Sequence, residues 1–200
     1  MTMQTVPLSS FVDFVLKVGT PKLGVVRELK DRRYDHLTDF YRPIREAIVE
    51  MHEKRRPLEA LDATLAAMTD ERKRRIFPDV IAGYRAFLSA HRAVWSTPPH
   101  AVLPMGALQI DVAPELGFEI DGVPHVVKPY FQGEPLAQKR VDLTIALMQA
   151  ALSAGRPRAA FAVLDVPNAR LRLLQTRADE RLLLLLRGEA ASFAAIHAAL

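Results

Sequence analysis

Apolar side chains recur at two spacings along this chain, and the change between them divides it. From Phe11 to Leu88 they return every three to four residues, the period of a helix with one buried stripe. Phe11, Val12, Phe14, Val15 and Leu16 follow Ser10, with Asp13 three residues on as in a capping box, and Gly19 ends that run. Thr20-Pro21 opens a second helix whose stripe, Leu23, Val25, Val26 and Leu29, runs toward Arg33. Asp35 or Asp39 caps a third helix, which carries Phe40, Ile44, Ile48 and Met51, with Pro43 in its first turn or bending it. Pro57 starts a stretch with Leu58, Leu61, Leu65 and Met68 inward, and Thr69 opens a basic segment. From Pro78 to about Trp95, Val80, Ile81, Tyr84, Phe87 and Leu88 make an amphipathic helix. Residues 1–95 are therefore expected to be helical, without a strand.

Ser96-Thr97-Pro98-Pro99-His100 breaks the helical period, and residues 96–105 read as a proline-containing linker. From Gly106 the period shortens to two. Leu108, Ile110 and Val112 alternate with Gln109 and Asp111. Asp121-Gly122 then lies between two apolar-rich runs and suits a two-residue type I′ hairpin turn. That turn fixes a register in which Ile120 faces Val123, Phe118 faces His125, Leu116 faces Val127 and Glu115 faces Lys128. One face carries Leu116, Phe118, Ile120, Val123 and Val127 as core, with His125 beside Phe118; the other carries Glu115, Glu119 and Lys128.

Residues 136–153 return to helical spacing. Phe161–Val166 and Ala169–Leu174 form a second hairpin across Pro167-Asn168, setting Asp165 opposite Arg170 as a surface ion pair. Leu182–Leu186 favours helix by propensity, while the flanking Arg181 and Arg187-Gly188 suit a short buried strand; strand is the reading taken. A last helix covers 189–200. The expected class is α+β: a helical N-terminal region (1–95), the linker, and a mixed or antiparallel sheet with two helices (106–200) in the order β-β-β-α-β-β-β-α.

Composition narrows the chemistry. Half of the 200 residues are hydrophobic, enough for a packed core, and none is cysteine, which excludes disulfides, thiolate metal sites and a cysteine nucleophile. No basic start with an apolar run marks a signal peptide, and no apolar run approaches the ~20 residues of a bilayer-spanning helix. The expectation is a soluble, cytoplasmic protein with no membrane partner.

The net charge of +4 lies in residues 1–100, where 17 Lys and Arg face 13 Asp and Glu. Lys30-Asp31-Arg32-Arg33, Lys54-Arg55-Arg56 and Arg72-Lys73-Arg74-Arg75 carry it, so DNA or RNA is a candidate partner through Arg32, Arg33, Arg55, Arg56, Arg72, Arg74 and Arg75. The competing reading is that these clusters complement the dipoles at helix C-termini. Tyr34, Tyr41, Trp95 and Tyr130 are candidates for base stacking or ordinary core. Walker A, GxGxxG, GxSxG and HExxH patterns are missing.

The order of three strands, helix, two or more strands and helix, with Asp111 and Lys128 on successive strands, resembles the PD-(D/E)XK nuclease-like superfamily, especially its RecB-like branch, over roughly residues 100–175. The resemblance implies a divalent metal held by an Asp on one strand, by an acid two residues before a Lys on the next, and often by a Glu from a preceding helix. Asp111 matches the first position and Lys128 the lysine, but Val126 stands where the second acid belongs. Hard cations need several oxygen donors. A working site would therefore need Glu115 or Glu119 as substitute, with Glu46 or Glu50 as a further carboxylate.

The candidate catalytic set is Asp111, Glu115, Glu119 and Lys128, with Asp111 and Glu115 on metal. Three readings follow. The first is a nucleic-acid-associated protein with a nuclease-like core, an incomplete metal site and no cofactor. The second is an active nuclease using magnesium or manganese through relocated carboxylates. The third is a non-catalytic interaction or structural protein, with self-association or a protein partner. The bland reading of Glu115 and Lys128 is a cross-strand ion pair worth at most about 1 kcal/mol.

Overall fold

The computed structural model describes residues 4–31, 39–174 and 180–200. Arg32, Arg33, Tyr34 and the alternative cap Asp35 lie outside the described residues. In chain order the elements are β1 (Gln4–Pro7), α1 (Leu8–Leu16), α2 (Pro21–Asp31), α3 (Arg42–Glu53), α4 (Ala60–Ala66), α5 (Glu71–Ala90), β2 (Ala93–Trp95), β3 (Ala101–Met105), β4 (Leu108–Val112), β5 (Leu116–Ile120), β6 (Val123–Tyr130), α6 (Gln138–Leu152), β7 (Ala160–Asp165), β8 (Arg170–Arg172) and α7 (Glu180–Ala199). The fold is α+β, with helices preceding most of the sheet.

Two sheets form. The larger has the order β2-β5-β6-β7-β8, and the smaller β1-β4-β3. Asp121 and Gly122 have φ of 51° and 79°, as a type I′ turn requires, and the register Ile120↔Val123, Phe118↔His125 and Leu116↔Val127 is the one the turn dictates. β6 and β7 run parallel, which needs a crossover, and α6 supplies it.

The larger sheet is covered on both faces. Leu116, Phe118, Ile120, Val127, Ala162 and Leu164 pack against Ile44, Ile48 and Met51 of α3, Leu61 of α4, and Phe77, Val80, Ile81, Tyr84 and Phe87 of α5. On the other face Val126, Phe161 and Val163 meet α1, α6, α7 and the buried side of the small sheet, through Phe11, Phe14, Val141, Ile145, Phe193 and Ile110. Two glycines make this packing possible by letting backbone approach backbone. A Cβ on Gly83 of α5 would lie 2.1 Å from the Val166 carbonyl oxygen, and one on Gly117 of β5 would lie 2.2 Å from that of Ser96.

Several expectations are corrected. The first 95 residues are not free of strands: β1 pairs in parallel with β4, and β2 pairs antiparallel with β5, so both sheets draw on that half. Their partners lie far along the chain, and runs of four and three residues carry almost no period of their own. The linker ends at His100, since Ala101–Met105 is β3. Pro104 is tolerated there because β3 is an edge strand. Among the described residues six strands precede α6, and from residue 106 on they are the three expected, β4, β5 and β6; after α6 there are two, β7 and β8, rather than three.

Leu182–Leu186 belongs to α7, because Leu186, Ala190 and Phe193 share its buried stripe, which a strand would have split across two faces. By length and composition α7 could also cross a bilayer, with a mean hydropathy of 1.4; here it packs on α1, α2 and the small sheet. α5 starts at Glu71 rather than Pro78, capped by Asp70, whose carboxylate accepts from the Lys73 amide at 3.1 Å, and it carries Pro78 on its exposed side. His125 is half-buried at the hairpin rim, where Nδ1 donates to the Val123 carbonyl at 2.8 Å.

Two alanine substitutions test the close approach. Gly83→Ala is expected to cost about 3 kcal/mol or more, because the obstructing atoms belong to the Val166 and Pro167 backbone and cannot swing away. Gly24→Ala, in open space on α2, is expected to gain roughly 0.5–1 kcal/mol. Urea unfolding of both variants checks the contrast.

Candidate functional site

β5 begins, and β6 and β7 end, at one end of the larger sheet, and this gathers Glu115, Lys128, Tyr130 and Asp165 there. The Lys128 ammonium donates to Glu115 Oε1 at 2.6 Å and to the Ala113 carbonyl at 3.4 Å. Arg45 of α3 adds a second cation, with Nε 3.8 Å from the same oxygen, and itself bridges to Asp39 at 2.6 Å. The Glu115 and Lys128 side chains are only 19% and 17% exposed, so this is a largely desolvated pair rather than the surface contact expected from sequence. Glu115 Oε2 is buried, with no hydrogen-bond partner among the described residues.

The remaining acids of the predicted set are dispersed. Asp111 lies in β4 of the small sheet, on its outer face, where His100 Nε2 is 2.6 Å from Asp111 Oδ1. Glu119 is exposed beside Val94 and Pro124, roughly 13 Å along the strand from Glu115. Glu46 is paired with Arg42 at 2.7 Å. Glu50 meets Lys54 at 2.5 Å and Arg56 at 3.3 Å; the Lys54 hydrogen bond, then the charges of Lys54 and Arg56, hold its carboxyl below the usual range.

Val126 is 2% exposed, within the cluster that includes Val141, Ile145 and Phe161. An acid at that position would sit in hydrocarbon. Among the described residues no three of His, Asp or Glu converge to hold a metal ion. The donor set therefore does not fit the cation that the resemblance implies.

Asp165 also departs from expectation. It is 4% exposed and accepts from Asn168 Nδ2 at 3.0 Å, although its cross-strand partner is Arg170 as the hairpin predicts. Beside it, burial pushes the Tyr130 hydroxyl up, against the opposing pull of Arg140, whose guanidinium lies 5.9 Å from the ring centroid and pairs with Asp13 at 2.6 Å.

The basic clusters divide differently from the sequence reading. Lys54, Arg55 and Arg56 do follow the C-terminus of α3, where cations complement the dipole. Arg72, Lys73, Arg74 and Arg75 instead occupy the first turns of α5, the end at which the dipole disfavours them. Arg72, Arg74 and Arg75 are exposed, and among the described residues Arg74 and Arg75 make no ion pair. Arg72 and Lys73 lie over the Phe40 ring, at 4.9 and 5.8 Å from its centroid. Phe40 packs edge-on against Phe77 at 5.5 Å, and Tyr41 stacks on Phe77 and Phe131 at 6.2 and 5.9 Å. α3 and α5 thus begin together. Arg42 and Arg45 join this end, and sequence reasoning missed them because nothing local marks which helix ends will meet.

At the far end of α3, His52 stacks on Trp95 at 4.9 Å and 6°, meets Phe118 edge-on, and shares a 2.5 Å hydrogen bond with the Tyr84 hydroxyl. Trp95 is thereby a packing residue. Burial lowers the His52 pKa from 6.5 to about 4 and pushes the fully buried Tyr84 hydroxyl up.

No family model, curated protein or solved structure shows significant similarity to this chain.

Two outcomes follow from this geometry. Unfolded His52 takes a proton near pH 6.5 and folded His52 only near pH 4, so its contribution is intact above the first value and is lost as pH falls between them. Thermal melts should show that loss in the wild type and a flatter profile in His52→Gln. Glu115→Ala should cost about 2 kcal/mol in urea unfolding, between the exposed and fully buried limits for breaking an ion pair.

Proposed function

We propose that this protein is a nucleic-acid-binding protein built on a nuclease-like core that does not cut. The observation that carries the reading is Val126: the position where the resembling family carries a metal-binding acid is a core valine, while the lysine two residues on is held by Glu115 and not free for catalysis. The larger sheet taken alone has the element order of the resemblance, β2, β5 and β6, then α6, then β7 and β8, but Asp111 lies outside it, in β4 of the smaller sheet, so the support is for the order alone. The uncompensated arginines at the start of α5 support the nucleic-acid partner, since cations placed against a helix dipole gain nothing from the helix itself. The cysteine-free composition accords with a cytoplasmic setting.

A protein-interaction role is the second reading, and one surface favours it. Leu184 and Leu185 of α7 are 62% and 69% exposed beside Lys22, Arg181 and Glu189, lining an open groove of about 600 Å³.

Purified protein incubated with magnesium or manganese and with single- or double-stranded DNA and RNA is expected to leave all four intact. Metal-dependent cutting that disappears in Asp111→Ala, Glu115→Ala and Lys128→Ala would replace this reading with that of an active nuclease using relocated carboxylates.

A further inference from the structure

Nucleic-acid binding as such does not say which part of the molecule is used or which form of nucleic acid it suits. We infer that the shared N-terminal end of α3 and α5 is the binding surface and that its ligand is a single strand. This rests on the nucleic-acid reading above and adds a place and a substrate class to it.

Three exposed guanidiniums stand within about one turn of α5: Arg72 and Arg75, three residues apart, share one side, and Arg74 turns to the other flank of the exposed face, so a flexible single strand that bends round the helix end can meet all three where a stiff duplex cannot. Glu71 and Asp79 on the same helix offset part of the charge, and Asp70 is engaged in capping. The neighbouring acid Asp39 is taken by Arg45, so it does not neutralise the arginines of α5. The same end carries aromatic and guanidinium groups. Arg72 rests over half-buried Phe40, which is braced by Tyr41 and Phe77, so its outer side is held in place for a base to stack on. Unpaired bases stack readily on arginine and aromatic planes, whereas bases inside a duplex cannot reach them.

Lys54, Arg55 and Arg56 lie roughly 18 Å away at the other end of α3, and Glu50 takes both Lys54 and Arg56. They form a separate group and serve as the internal control.

The experiment is fluorescence anisotropy with a labelled 20-nucleotide oligothymidylate, an abasic phosphodiester of the same length and a 20-base-pair duplex, across a salt series. Three phosphate contacts predict a slope of log K against log salt of roughly −2 for the single strand. Arg74→Glu with Arg75→Glu should weaken binding roughly tenfold or more and flatten the slope to about −0.7, since one contact remains. The abasic strand should bind at least roughly fivefold more weakly than the oligothymidylate. Both altered residues are exposed, and circular dichroism melts confirm that the variant is folded.

Binding that survives Arg74→Glu with Arg75→Glu but falls with Arg55→Glu and Arg56→Glu overturns the location while leaving nucleic-acid binding in place. Preference for the duplex, or equal binding of the abasic strand, overturns the single-strand assignment. No binding to any of the three sinks this inference and the reading beneath it together.

Discussion

The fold depends on β6 being buried on both faces at once. Val127 belongs to the cluster under α3, α4 and α5, and Val126, the next residue, to the cluster under α1, α6 and α7. Strand geometry sends adjacent side chains to opposite sides, so where β6 is covered, from Val126 on, the two cores are one residue apart, while Val123 and Pro124 at its start are exposed. Polar groups are admitted only where the strand leaves the cover, and there Lys128 is met by Glu115. Helices can close over both faces because Gly83 and Gly117 let backbone touch backbone.

The same constraint accounts for the character of the sheet's polar end. A divalent cation needs several free oxygens at one point. Here Glu115 serves Lys128 and Arg45, Asp39 serves Arg45, Asp13 serves Arg140, Asp165 is bonded to Asn168 and Asp111 faces His100 in the other sheet. These acids are matched one by one to donors rather than pooled. Positive charge without such a match lies instead at the start of α5. An arrangement of this kind suits holding a polyanion better than activating water, and the proposal of binding without cutting rests on that contrast.

What was legible in the sequence was local. Asp121-Gly122 fixed the turn, the turn fixed the register, and the register put Glu115 against Lys128; no distant information entered. β1 and β2 were illegible because their pairing is with β4 and β5, and short runs show no reliable period until a partner selects one face. The five leucines of α7 fit helix and strand alike until Leu186, Ala190 and Phe193 are seen to share a buried side. Val126 was visible as a departure from a pattern, but its reason, packing against α6, is tertiary. The meeting of Phe40 with Arg72, and of Arg45 with Glu115, has the same origin: helix ends far apart in sequence are brought together by the core beneath them.

The central claim is that this sheet end is closed to a divalent cation by packing and by paired charges. Titration with manganese, followed by the electron paramagnetic resonance signal of the free ion, tests it most directly because it requires no substrate and no turnover. The account predicts no saturable site tighter than about 1 mM, the loose end of protein-built cation sites. One manganese bound per chain at micromolar concentration, and released by Glu115→Gln, would contradict it.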